Sequence, residues 1–184
     1  MIVYSGVSGV GKGTILEQLM PMEDLNLAYS VSMTTRQPRP GEVDGVNYFF
    51  VDKSTFLNAV KNNELLEHAR FVGNDYGTPK AYVEKMRNEG KNVILEIEIR
   101  GARQVLEKCP DALSIYIVPP SIEELERRLR ERSSEDEETI MKRIAKARME
   151  LQDIDMYDHI VCNDDLDKAV KEVREIILNE MNKQ

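Results

Sequence analysis

The apolar stretch IVYS (2–5) runs without a linker into GVSGVGKGT (6–14), and Ile15, Leu16, Leu19 and Met20 follow at helical spacing until Pro21. Strand, glycine turn and helix in that order aim backbone N–H groups at one point beside a positive helix end, where a phosphate is held. Gly6, Gly11 and Lys12 fit the spacing G-x-x-x-x-G-K, in which the lysine reaches the outer phosphates. Gly13 stands where that pattern has Ser or Thr, and Thr14 comes one place late. An ordinary tight turn is the competing reading of such glycines. The immediate helix and the extra Gly9, which lets backbone approach oxygen closely, favour a phosphate loop.

Strand and helix signals alternate along the rest of the chain, the pattern of a parallel sheet covered on both faces. Strands are expected at 27–33, 46–51, 65–72, 92–98, 113–118 and 159–163, with a short helix at 54–62. Thr78-Pro79 opens a helix that Gly90 closes, with Pro at the first helical position. Ser121 with Glu124 and Ser134 with Glu137 have capping-box spacing at the starts of an Arg-rich helix and a long one. Leu166, Ala169, Val170, Val173, Ile176, Ile177 and Met181 trace one face of a last helix. The expected fold class is α/β: a single domain whose core (1–33, 79–121, 151–184) carries excursions at 34–78 and 122–150.

With 25 Lys and Arg against 33 Asp and Glu, the net charge is −8. Such a field argues against nucleic acid and anionic membrane as partners, though a local arginine cluster still suits a small anion. No stretch reaches membrane-spanning length, and the N-terminal apolar run is too short for a signal peptide. Cys109 and Cys162 lack metal-ligand spacing and read as buried thiols in a reducing compartment, so a cytoplasmic protein is expected.

The segments SMTTRQPRPGEVDGVNYFF (32–50), LLEHARFVGNDYGTP (65–79) and NDD (163–165), with the glycine loop, closely resemble guanylate kinases, the P-loop enzymes that phosphorylate GMP with ATP. The resemblance covers the whole chain and rests above all on the TTR-x-PR-x-GE-x-DG-x-x-YFF run. It implies a P-loop NTPase core with a central parallel sheet flanked by helices, a GMP-binding segment at 34–78 and a helical lid at 122–150. For ATP it implies Gly6, Val7, Ser8, Gly9, Val10, Gly11, Lys12, Gly13 and Thr14, with Asn163 and Asp164 near adenine. GKGT resembles the adenylate kinase loop, where glycine also holds the hydroxyl position. No direct Mg²⁺ ligand is therefore expected, the ion being held mainly by phosphates and water near Thr14 and Glu96.

For GMP the resemblance implies Ser32, Arg36, Arg39, Glu42, Tyr48, Glu67, Tyr76, Thr78 and Glu96. The chemistry is consistent. Guanidinium forks suit phosphate oxygens, phenols donate to them, and a carboxylate can accept guanine's adjacent N1–H and N2–H. Without the resemblance, the two arginines read as solvated surface, the tyrosines as packing and Glu67 as an exposed strand residue. Many guanylate kinases carry Asp at the positions of Glu96 and Glu98, while others have Glu as this chain does. Lys12, Arg128, Arg132 and Arg143 are expected to compensate charge during transfer, while Arg127 and Arg130 read as helix salt bridges. ERS (131–133) replaces the family's GRG at the lid tip. A GMP or dGMP kinase acting as monomer or homodimer is the expectation. The alternatives are an inactive guanylate-kinase-like protein-binding module and a kinase of the same fold for AMP or a ribosyl bisphosphate; no N-K-x-D motif supports a GTPase.

Overall fold

The computed structural model describes residues 1–71, 73–132, 136–152 and 154–183, with only the backbone of Arg132. In chain order the elements are β1 (Ile2–Gly6), α1 (Lys12–Leu19), β2 (Leu27–Tyr29), β3 (Met33–Thr34), β4 (Phe49–Phe50), α2 (Lys53–Lys61), β5 (Leu65–Phe71) and β6 (Asn74–Pro79). They continue as α3 (Lys80–Asn88), β7 (Asn92–Glu96), α4 (Ile99–Lys108), β8 (Leu113–Val118), α5 (Ile122–Arg132), α6 (Glu137–Glu150), β9 (His159–Cys162) and α7 (Leu166–Met181). A five-stranded parallel sheet has the order β2-β7-β1-β8-β9, and a second sheet the order β4-β3-β6-β5. The chain divides into two compact units, residues 1–3 with 27–112 and residues 4–26 with 113–184. Among the described residues no helix is long and apolar enough to cross a membrane.

In the first unit, Val93, Ile94 and Leu95 of β7 are all fully buried, as a continuous apolar run should be when a parallel strand is covered on both faces. Each such side chain contributes about 1.5–3 kcal/mol of burial. Four expectations change here. The run 27–33 is not one strand: Leu27–Tyr29 pairs with β7, whereas Met33–Thr34 pairs with β4 and β6 in the other sheet. Buried Val31 lies in the crossing segment. The expected strand 92–98 stops at Glu96, and α4 follows, a helix absent from the sequence reading. Residues 74–79 fold back on β5 as an antiparallel hairpin, so Pro79 ends β6 and caps α3 instead of occupying its first position. Of the strand expected at 46–51, Phe49–Phe50 joins the sheet and Tyr48 makes an isolated bridge with Asp44. Phe56, Ala59 and Leu65 form a small buried cluster beneath α2 and β5.

In the second unit, α7 buries Ala169, Val170, Val173 and Ile177, and the Asp165 carboxylate caps it by accepting the Lys168 N–H. The Ser121 hydroxyl accepts the Glu124 N–H, one half of the expected capping box. The other half is missing because the Glu124 carboxylate turns to Arg127 and Arg128. Asp136 caps α6 through the Thr139 N–H; Ser134, expected there, lies outside the described residues. Cysteine burial is a further correction. Cys109 is half-buried and Cys162 exposed. β9 is an edge strand whose alternation puts Val161 inside and turns Ile160 and Cys162 outward.

Candidate functional site

Two groups of side chains gather chemistry, one in each unit. In the second unit the glycine loop joins β1 to α1. Gly9 and Gly11 have φ of 86° and 97°, the left-handed region that favours glycine. At Gly11 space is also short: a Cβ there would stand 2.7 Å from the Asn163 amide nitrogen. That amide donates to the Val10 carbonyl at 2.7 Å, so Asn163, expected near adenine, braces the loop backbone. Lys12 lies back along the loop, its ammonium donating to the Gly6 and Val7 carbonyls at 2.8 and 3.3 Å. Gly13 and Thr14 are exposed at the first turn of α1.

Arginines from α5 and α6 reach this neighbourhood. Arg143 donates to the Ser8 hydroxyl at 3.5 Å. Arg128 donates to Glu124 at 2.7 Å and to the carbonyls of Asn163 and Asp164 at 2.8 and 3.3 Å, fixing the segment that precedes α7. Arg127 pairs with Glu124 and Glu131, and Arg130 with Glu126 and Glu137, all helix-surface pairs as expected. The Arg132 side chain and Ser133 of the lid tip lie outside the described residues. Glu150, which the sequence reading did not single out, accepts the Ser8 N–H at 3.4 Å. A loop amide already engaged by a carboxylate has the polarity that an anion site needs.

In the first unit, one cavity of about 350 Å³ is lined by Ser32, Arg36, Arg39, Glu42, Tyr48, Glu67, Tyr76 and Glu96, eight of the nine residues expected for GMP. The ninth, Thr78, is fully buried and donates its hydroxyl to Glu67 Oε1 at 2.7 Å, so it bears on the cavity through that carboxylate. Glu67 is itself 4% exposed, not the surface residue that strand position alone suggests. Burial pushes its carboxyl above the ordinary 4.5, outweighing the Thr78 hydrogen bond and the nearby Lys108 ammonium.

The arginine side is held in a different way. Arg36 makes a bidentate pair with Glu42 at 2.8 and 2.9 Å and stacks its guanidinium 5.3 Å from the Tyr48 ring centre and 5.7 Å from that of Phe50. Glu42 also accepts the Arg39 N–H at 2.7 Å. It therefore shapes the TTRQPRPGE loop and positions the guanidinium, a role its sequence place alone did not reveal. The pair holds the Glu42 carboxyl down at about 2, against an ordinary 4.5. Because the folded value is depressed, the pair's contribution to stability is complete above about 4.5 and is lost as pH falls through about 2. A carbon-detected NMR titration should find the Glu42 carboxyl still ionised at pH 3; a midpoint near 4.5 would mean the pair does not persist in solution.

A second cavity, about 430 Å³, shares Ser32, Glu42, Tyr48 and Glu96 and adds Tyr29, Ser30, Val46 and Asn47. Tyr29 donates its phenol to Glu96 at 2.6 Å, and burial together with that carboxylate pushes the phenol pKa up. The longer Glu96 thus has a partner on the neighbouring strand. Glu98 and Gly101 also line the first cavity. His68 and His159 belong to β5 and β9 and line neither cavity.

Comparison with known proteins places this geometry among relatives. The model of the guanylate kinase family matches residues 1–180. A guanylate kinase of Mesoplasma florum is 53% identical over 180 residues, covering 98% of this chain and 61% of that protein. One from a Synechococcus strain is 48% identical over 177 residues, covering 96% of this chain and 81% of the other. The crystal structure of guanylate kinase from Anaplasma phagocytophilum superposes with a TM-score of 0.75 at 33% identity, covering 98% and 85% of the two chains. This chain spans about three fifths of the Mesoplasma florum relative's length and of two Mycoplasma relatives' lengths. A match from residue 1 to 180 takes in the glycine loop, the arginine loop and the buried Glu67 alike, and on that ground the chain belongs to the guanylate kinase family.

Proposed function

We propose that this chain transfers the γ-phosphoryl group of ATP to GMP or dGMP, giving ADP and the guanosine diphosphate. One observation carries the reading: a single cavity is lined both by a buried carboxylate, Glu67, and by Arg36, Arg39, Tyr48 and Tyr76. Guanine offers a carboxylate two adjacent donors where adenine offers none in that arrangement, and guanidiniums and phenols suit the nucleotide's phosphate. The glycine loop with Lys12, Arg128 and Arg143 takes ATP.

The acceptor phosphate has a second pKa of about 6 and is largely dianionic at neutral pH, so the chain needs no general base. What it supplies is position and positive charge. Mg²⁺ fits the donor set as an ion that keeps most of its water, since Gly13 offers no hydroxyl and the described residues hold no cluster of three or more His, Cys, Asp or Glu. Thr14 on α1 is its candidate oxygen donor in the second unit, and the ion would supply charge compensation on phosphate oxygens. Residues 34–78 serve as the GMP-binding segment and α5–α6 as the lid that excludes water from ATP.

A coupled assay of ADP release from ATP with GMP, AMP, UMP or no acceptor tests this. Turnover should require GMP or dGMP. Equal turnover with AMP would reject the assignment, and none with any acceptor would leave a protein-binding module as the reading.

A further inference from the structure

Gly101 breaks a local rule. It lies in α4 without a left-handed φ, where glycine costs about 0.5–1 kcal/mol relative to alanine. Space accounts for it. A Cβ at this position would stand 2.5 Å from Glu67 Oε2, 3.0 Å from its Cδ and 3.3 Å from its Cγ. Either α4 or Glu67 would have to yield.

The helix is held in place. Gln104 accepts the His68 N–H at 3.2 Å and donates to the His68 carbonyl at 2.8 Å, as a neighbouring strand would. Lys108 donates to the Leu66 carbonyl at 2.5 Å. Positions 101, 104 and 108 fall on one helix face, so the contacts that tie α4 to β5 flank the glycine's own row. Withdrawing α4 would break all three bonds, whereas the Glu67 side chain can rotate. Its other oxygen would then leave the Thr78 hydroxyl, 2.7 Å away.

We infer that Gly101 is a specificity-determining residue: by carrying no side chain, it keeps the Glu67 carboxylate at the place from which guanine is read. The inference rests on the proposed GMP reading of Glu67. Gly101 acts through that acid, so its replacement should cost recognition of guanine and leave adenine nearly unaffected.

Values of kcat/KM for GMP and AMP, measured in the wild type, Glu67→Gln, Gly101→Ala and the double variant, decide it. Gly101→Ala should lower the GMP value about 100-fold and the AMP value less than about threefold, since a site built for paired donors loses most when its acceptor is misplaced. In the Glu67→Gln background the same change should add less than about threefold, because the two residues act as one unit. Equal losses toward GMP and AMP, or full additivity in the double variant, would overturn the inference. If Gly101→Ala melts below the assay temperature, Gly101→Ala with Glu67→Asp decides, because the shorter acid vacates the contested space. Recovery of the folded state supports the inference, and no recovery rejects it. A wild type without GMP preference, or a Glu67→Gln variant that keeps it, fails the functional reading and takes this inference with it. Loss of preference in Glu67→Gln but not in Gly101→Ala rejects the role of Gly101 alone.

Discussion

Changing Lys12 to alanine should lower kcat for phosphoryl transfer about 1,000-fold, the scale on which removing one preorganised charge from an active site is felt. The ammonium is laid along the loop by the Gly6 and Val7 carbonyls, at 2.8 and 3.3 Å, and is thereby positioned before any nucleotide arrives. Little reorganisation is then needed as charge develops. Lys12→Arg should not restore the rate, since a planar fork cannot replace a compact point charge on two loop carbonyls. Steady-state and single-turnover kinetics with ATP and GMP separate the possibilities. An unchanged kcat with a raised KM for ATP would make Lys12 a ground-state binder only.

Glu67→Gln should reduce GMP turnover by at least about 100-fold and largely erase the preference over AMP, because the amide cannot accept two hydrogen bonds as an anion does. The wild type should carry a pH signature as well. Burial raises the Glu67 carboxyl above 4.5, so the folded chain holds a proton that the unfolded chain has released between 4.5 and that raised value. The stability associated with the protonated acid is present below 4.5 and is lost as pH rises through the folded value. Guanosine binding has the opposite slope. It needs the ionised acid, so affinity rises by up to about tenfold per pH unit until that value is passed. Guanosine is the probe of choice because it lacks the phosphate that titrates near 6. Calorimetric titrations from pH 4.5 upward should show this slope in the wild type and none in Glu67→Gln; a flat wild-type profile would mean that Glu67 stays ionised throughout.

Motif spacing and apolar periodicity make the parallel core and the glycine loop legible, whereas the eight expected residues that line the first cavity are legible only through the resemblance to guanylate kinases. What escaped depends on pairing between distant segments. LAYSVSM reads as one strand because every residue in it suits a strand, yet its two ends join different sheets. IEIRGARQVLEK reads poorly as a helix because an apparent strand precedes it and a glycine interrupts it; only the approach of Glu67 explains that glycine. Tyr29 and Glu150 carry no motif at all, and their partners, Glu96 and Ser8, lie 67 and 142 residues away in the chain. Cys162 is exposed because an edge strand has an outer face that composition does not reveal.

The bond from Asn163 to Val10 joins residues separated by 153 positions. On a ribosome, residues 27–112 can all emerge before any of 113–184 is made, whereas residues 4–26 must wait for that last stretch. The nascent chain therefore carries everything that lines the first cavity well before the residue that braces the glycine loop is made. Between the emergence of residue 112 and that of Asn163 the first unit is complete while the loop still lacks its brace.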